Sequence, residues 1–508
     1  MDHDWDKLNQ TVLKLIQEGK YQEALVPAQE AVSFAENEKE GPHYNLAVSL
    51  NNLGELYHAM EDYEKAETVI KRALNTFEAL LGPDHEDVAD SLTNLAELYI
   101  AQGAFDQAEP LMQRAAEIKE KTTDKDKTDL IQSLTGLATL YRSQGKHKAA
   151  MELFQRTLGL LEDALGKDDP NLGPVLNSLG QSQQGLGQLE EATNTYRRAL
   201  SIYEKAIGPG HPAFAETLSY LAEIYIATGF HQIAESFLRQ SLEIREGSLP
   251  EHHPDIAESL QKLTIVLQSQ GRGQEAAPLM QRVIDIYSHA YGNDHPAVLQ
   301  QKNTLGEYYL SQGNFDTAKT LLTEALNAGE SAFGTDHLAV AQTLNNLAVL
   351  HDKLGDFSEA EPLHQRALEI RRKVLGPEHP VITQSYDNIA AHYMARGRNQ
   401  DAEELLNQSL AIWEKNMGEQ HPATAQAYYN LATLQVSEGK YTEAETALVK
   451  SRKILESSQG TSNFHLALVF EALSAIYRKT DRPMEAKEYS VRAFKIRNPE
   501  QPQNPRSN

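Results

Sequence analysis

Residues 50–89 read LNNLGELYHAMEDYEKAETVIKRALNTFEALLGPDHEDVA. Measured from Leu50, the apolar or small residues Leu53, Gly54 and Tyr57 fall at offsets of 3, 4 and 7. Measured from Ala66, the residues Ile70, Ala73, Leu74 and Phe77 fall at 4, 7, 8 and 11. Each set occupies one stripe of a helix, so the segment holds two amphipathic helices in succession. Gly82 stops the second helix, because glycine adopts backbone angles that other residues avoid. The unit is thus a helix A of about 15 residues, a tight turn, a helix B of about 18 and a short loop.

The same unit runs through the chain. Ala24, Ala66, Ala108, Ala150, Ala192, Ala234, Ala276, Ala318, Ala360, Ala402, Ala444 and Ala486 follow one another at a constant 42 residues. Twelve copies account for 504 of the 508 residues. A two-helix unit of this size cannot bury its apolar stripes alone and does so by stacking on its neighbours. The expected fold is therefore all-α, an α-solenoid of about twelve helix-turn-helix units. Small residues recur on helix A at Gly54, Ala96, Ala138, Gly180, Ala222, Gly306, Ala348, Ala390 and Ala432. With the alanines of helix B they are expected to let the two axes approach closely. Tyr57, Tyr99, Tyr141, Tyr225, Tyr309, Tyr393 and Tyr477 are expected to lay their rings in the seam, each hydroxyl reaching a partner or water. In the A–B turn, Gly19, Gly103, Gly145 and seven later equivalents are expected to take the left-handed conformation that ends helix A.

Composition excludes several classes of function. There is no cysteine, which removes disulfides, thiolate nucleophiles and cysteine-bound zinc. The 72 Asp and Glu outnumber 47 Lys and Arg, and a formal charge of −25 has the wrong sign for nucleic acid or an anionic membrane. No apolar run approaches the roughly 18 residues of a membrane helix. The acidic start MDHDWDKLNQ lacks the apolar core of a signal peptide, so a cytoplasmic protein is expected. The phosphate-loop, zinc-protease and serine-elbow patterns are missing, and DKDKTD at 124–129 lacks the glycine and closing glutamate of a calcium loop. No catalytic residue, cofactor or metal site is expected. His43, His85, His211, His253, His295, His337, His379 and His421 share one phase of the repeat. Successive members lie on the order of 10 Å apart, too far to share an ion with bonds of about 2 Å. They are expected at helix starts, bonding a loop carbonyl or N–H.

The pattern L-G-x2-Y followed by A-x3-hydrophobic resembles the tetratricopeptide repeat. LNNLGELY, LTNLAELY, LNNLAVLH and YYNLATLQ, with closing loops such as LGPDHEDVA (81–89) and LGPEHPVIT (375–383), are similar to the 42-residue form seen in kinesin light chains. The resemblance implies a right-handed solenoid, one continuous superhelix over residues 1–497, whose helix A lines a concave face that holds partner segments. It also implies that the motif's asparagine, here Asn52, Asn94, Asn346, Asn388 and Asn430, contacts the partner. Gln342, Gln384 and Gln426 recur beside them. A carboxamide both donates and accepts, so such a ladder can pair with an extended backbone without demanding a particular side chain. The alternative is that these amides bond neighbouring helices or water.

Charge narrows the partner. The six helix-A columns expected to face inward carry Glu55, Asp90, Glu97, Glu216, Glu223, Glu258, Glu307, Asp352 and Asp387 against Arg142, Lys262 and Lys353. The positions at which chaperone-binding arrays hold a terminal carboxylate are Val48, Asp90, Gln132, Pro174 and Glu216 here, so that clamp is missing. The expected partner is a protein or peptide, extended and basic or neutral.

The pattern weakens near 121–175, where KTTDKDKTDL (121–130) and residues 160–175 lack the usual loop. Gly173 and Pro174 fall in the first turns of a helix A, so a late start or kink and a change of curvature are expected. The tail NPEQPQNPRSN (498–508) is expected to be disordered. No polar helix follows the last unit, so Val491 and Phe494 are expected to be partly exposed and to offer a homodimer contact through terminal repeats. The expected function is a non-enzymatic protein–protein interaction scaffold. The alternatives are a self-assembling structural array or a regulatory subunit acting on an enzyme in trans.

Overall fold

The structure, a computed structural model, describes residues 2–38, 43–122, 127–457 and 463–497. The expected disorder of 498–508 and the centre of the 121–130 segment lie outside the described residues. Among the described residues there are 24 α-helices, one 3₁₀ turn and no strand. The chain forms two compact units, Met1–Pro250 and Glu251–Asn508. Each is an α-solenoid of six two-helix repeats. In the first unit Tyr44–Ala59 pairs with Tyr63–Leu81, and Glu86–Ala101 with Phe105–Thr122. In the second, Leu338–Leu354 pairs with Phe357–Leu375, and Ile382–Ala395 with Asn399–Met417. No helix among the described residues is long and apolar enough to cross a membrane.

The small-residue columns do bring the axes together. Ala24, Ala66, Ala192, Ala318 and Ala444 are wholly buried at 0% exposure. A Cβ added at Gly54 would stand 2.3 Å from Ile70, one at Gly180 2.4 Å from the Tyr196 ring, and one at Gly306 2.8 Å from Leu322. Glycine therefore stands where the facing helix-B side chain presses hardest. The tyrosine hydroxyls reach back to the preceding helix B: Tyr99 donates to Glu67 at 2.9 Å, Tyr477 to Glu445 at 2.9 Å, and Tyr141 accepts from Gln113 at 2.7 Å.

Histidine in the shared phase starts helices, as its spacing suggested. In seven repeats from His85 to His421 the ring Nδ1 accepts from the backbone N–H two residues on, at 3.2–3.3 Å. His43 accepts from Leu46 N–H at 3.4 Å. In the fifth repeat Asp169 takes that place, capping a 3₁₀ turn over Pro170–Leu172 before the α-helix Gly173–Gly185 begins. The late start expected there is present. Pro174 lies in the first turn of that helix, where its missing N–H would have had no partner anyway. Gly173 is required because the Tyr203 ring occupies the space a Cβ would need, 2.0 Å away.

Helix A ends the same way throughout. Gly103 has φ +72°, and its N–H and that of Ala104 close back onto Ile100 and Tyr99 carbonyls at 2.9 and 2.8 Å, a Schellman end. The corresponding positions Glu61 and Asp481 adopt φ +61° and +56° with side chains that disfavour it. Packing imposes the left-handed turn even where glycine is missing. Glu61→Gly is therefore expected to stabilise the protein by about 1 kcal/mol, less the entropy glycine adds to the unfolded chain. Equilibrium denaturation checks this, and a loss of stability would contradict it.

Candidate partner-binding face

Helix A presents its amides in a fixed relation to the helix A before it. Asn52 donates to Asn9 Oδ1 at 2.7 Å, Asn388 to Asn345 at 2.9 Å and Asn430 to Asp387 Oδ2 at 3.0 Å, each 43 residues back. Asn346 makes the same bond to Asn303 at 3.4 Å and is itself buried. The alternative weighed for these residues, bonding between neighbouring helices, is thus present in the structure. It does not exhaust them, because each amide carries a second proton.

The eight amides named from the sequence divide by place. Gln384, Asn388, Gln426 and Asn430 line one cavity of about 510 Å³ in the second unit, beside Asp387, Trp413 and Tyr429. Gln342 lines a cavity of about 400 Å³ with Gln300, Asn303 and Glu307. Asn94 lines one of about 550 Å³ in the first unit, with Glu55, Asp90, Glu97, Lys119 and Asp129. Asn52 and Asn346 line none of these three cavities.

The first-unit cavity gathers four carboxylates around one ammonium. Lys119 Nζ lies 2.8 Å from Asp90 and 3.4 Å from Asp129, with its side chain only 5% exposed. Glu55 and Glu97 hold no such partner among the salt bridges; burial in the cavity raises both carboxyls, and the Glu97 charge adds to the effect on Glu55. The cavity keeps an excess of negative charge.

Helix B supplies cations that a search confined to helix A overlooks. Lys119, Arg245 and Arg371 occupy one column and are all buried. Arg371 donates to Ser385 at 2.7 Å, to Gln342 at 2.6 Å and to Gln384 at 3.0 Å, so two of the named glutamines spend their oxygens on it. The signal was a charged residue in a column whose other members include Phe77, Leu161, Tyr203, Tyr287, Trp413 and Leu455. Two buried histidines, His364 on a helix B and His392 on a helix A, also interrupt largely apolar columns and lie outside the shared histidine phase.

Two-helix units of one length, closed over small residues and stacked in sequence, define a helical-repeat protein. The chain belongs to the tetratricopeptide repeat family, which matches residues 15–79, 45–121, 129–205, 213–289, 265–328, 299–373, 340–391 and 381–457. No curated protein matches it. Among solved structures it is similar to BtubC (BKLC) from P. vanneervenii, at 22% identity over 46% of this chain and 94% of that one, with a TM-score of 0.39. It is also similar to the Rap protein complexed with competence and sporulation factor, at 15% identity over 73% of this chain and 98% of that one, TM-score 0.42. A Podosopora anserina chain described as a putative kinesin light chain with nearly identical TPR-like repeats is similar at 26% identity, covering 40% of this chain and 96% of that one, TM-score 0.36.

Asp387 gives the second-unit cavity a titrating wall. Burial pushes its carboxyl up to about 6, against the opposing pull of the nearby Ser409 hydroxyl and of the Asn430 amide that donates to Oδ2. The folded protein then holds a proton that the unfolded chain has lost, so stability declines as pH rises between the unfolded and folded values. Asp387→Asn removes that penalty. The variant is expected to be more stable than wild type by on the order of 2 kcal/mol near pH 7.5, the difference closing near pH 4. Denaturation curves at the two pH values check this, and a pH-independent difference would contradict it.

Proposed function

We propose that this protein is a non-enzymatic interaction scaffold of the cytoplasm that binds an extended segment of a partner protein on its helix-A faces. Tetratricopeptide arrays in general hold protein partners, and the Rap structure has a bound factor. The observation that carries the reading is the 510 Å³ cavity where Gln384, Asn388, Gln426 and Asn430, from two successive repeats, stand beside Trp413 and Tyr429. Amides two to a repeat suit a peptide backbone, and the aromatic rings suit an apolar side chain carried by it. The acidic first-unit cavity favours Lys or Arg on a partner segment, since Glu55 and Glu97 are placed to receive a cation.

A second reading, association through the last repeat, is supported by one observation. On the helix Pro483–Arg497, Met484, Val491 and Phe494 are 78%, 46% and 66% exposed. Light scattering over a range of concentration separates the two: a monodisperse monomer supports the scaffold alone, and a concentration-dependent dimer supports the contact.

Binding of labelled extended peptides, followed by anisotropy, tests the main reading. Lys- or Arg-bearing peptides are expected to bind more tightly than acidic ones and to weaken with added salt. Glu55→Gln with Glu97→Gln is expected to weaken the basic peptides by roughly tenfold, equivalent to about 1.4 kcal/mol. Asn388→Ala with Asn430→Ala is expected to weaken basic and neutral peptides alike. Salt-insensitive binding of an acidic peptide would overturn the charge assignment, and binding unchanged in both double variants would overturn the site.

A further inference from the structure

Because the chain repeats, each position can be compared with its equivalents in other units, and two positions depart together beside a carboxylate. The helix-B column that holds Ile70, Met112, Phe154, Leu322, Leu406 and Leu448 carries His364 in the ninth repeat. The helix-A column of Leu56, Leu98, Leu140, Leu350, Leu434 and Ile476 carries His392 in the tenth. Asp352 belongs to a mixed column, apolar at Ile100, Ile226, Leu310, Met394 and Val436 and polar at His58, Arg142, Gln184, Gln268 and Arg478.

The three meet. His364 Nε2 is 2.9 Å from Asp352 Oδ2, and His392 Nδ1 is 2.5 Å from Asp352 Oδ1. The two rings lie edge to face with centroids 5.6 Å apart. All three ligand atoms fall within 4.8 Å of one another, the one such group of His and carboxylate among the described residues. Both imidazoles are 1% exposed, whereas the Asp352 side chain is 18% exposed, so the cluster is closed on the protein side and open through its carboxylate.

As a purely hydrogen-bonded cluster the arrangement is poorly satisfied. His364 Nδ1 and His392 Nε2 are buried with no hydrogen-bond partner. Each ring thus brings one unpaired nitrogen into a seam that most other repeats fill with apolar side chains, and burying a polar atom without a partner is unfavourable. Asp352 is nevertheless well held as an anion: burial alone would raise its carboxyl, and the bonds from His364 and His392 outweigh that and lower it. An anionic carboxylate and two convergent imidazole nitrogens, set in apolar surroundings, are the donor set of a transition-metal site.

We propose that Asp352, His364 and His392 bind a divalent first-row transition-metal ion, of which Zn²⁺ is the probe, with a fourth position left to water. Metal–donor bonds of about 2.0–2.2 Å need each donor to shift by roughly an ångström. The ion takes the place of the protons now lying between the imidazoles and the carboxylate. His392 Nε2 stands 4.0 Å from Glu361 Oε2, so Glu361 is the positioning residue for that ring, the carboxylate that commonly accepts the second N–H of a metal-bound histidine. Glu361 is itself held by Arg396 and by Arg398, the latter at 2.9 Å. The ligands come from Leu338–Leu354, Phe357–Leu375 and Ile382–Ala395, so the ion would join the ninth repeat to the tenth.

The test is a calorimetric titration of the chelator-treated full chain with Zn²⁺, alongside melting with and without the ion. Wild type is expected to take up one ion per chain in a distinct step and to melt higher with it. His364→Leu with His392→Leu restores the residue type of both columns. That variant is expected to fold, by circular dichroism, and to lose this step while any binding at surface histidines persists. Asp352→Asn keeps the side-chain volume and is expected to lose the step too, which supplies the answer if the leucine variant fails to fold. Glu361→Gln is expected to keep the step and weaken it roughly 10–100-fold. With Co²⁺, wild type alone is expected to show the visible absorption of a low-coordinate site. Equal uptake by wild type and the variants, or no uptake by wild type with Zn²⁺ in large excess over protein, would overturn the proposal.

Discussion

Helix A lies against helix B so closely that the helix-B side of the contact holds only alanine, and in three repeats the helix-A side holds only glycine. Gly54, Gly180 and Gly306 have Ile70, Tyr196 and Leu322 where a Cβ would be, and the helix-B alanines are completely enclosed. Because that contact recurs every 42 residues, the chain between one alanine and the next has a fixed length to fill. The turn is forced as well: once the two axes are this close, the residue after helix A must take a left-handed angle, and Glu61 and Asp481 accept the strain. Stability is then distributed, with each repeat held by its own seam and by its neighbours rather than by one central core.

The amides of helix A serve that stacking and the proposed binding at once. Asn388 and Asn430 tie successive helices A together while lining the mixed polar and aromatic cavity of the second unit. A peptide in that cavity would meet side chains whose rotamers are already set, which lowers the ordering cost of binding. The same rigidity limits adaptation: a ligand that needed Gln342 or Gln384 to turn would have to take their oxygens from the Arg371 guanidinium. Affinity is expected to come from many modest contacts along a stiff surface rather than from closure around the ligand.

Much of this was legible in the residues because periodicity separates roles. A column that is always alanine marks a seam, and a histidine that recurs just before a helix marks a cap on its first N–H groups. What resisted reading were contacts that cross between columns. Asn388 bonds Asn345, not its own equivalent Asn346, so the pairing of amides depends on the stagger between successive helices. That stagger is a property of packing and leaves no mark on spacing. The buried cations and His364 on helix B were missed because only helix A was expected to carry chemistry; the columns that Lys119, Arg371 and His364 interrupt would have exposed them.

The helix-B cations carry one more consequence. Lys119, Arg245, Arg371 and Arg497 each follow the last by 126 residues, three periods, and no other member of that column is charged. Gly54, Gly180 and Gly306 keep the same longer interval on helix A. The two features lay a longer period of three repeats over the single unit, with the cations running on to Arg497 and the glycines giving way to Ala432. Lengthening such a chain by three repeats would preserve every neighbour relation and the spacing of these cations, of which Lys119, Arg245 and Arg371 are buried and Arg497 is exposed. Adding a single repeat would preserve only the first.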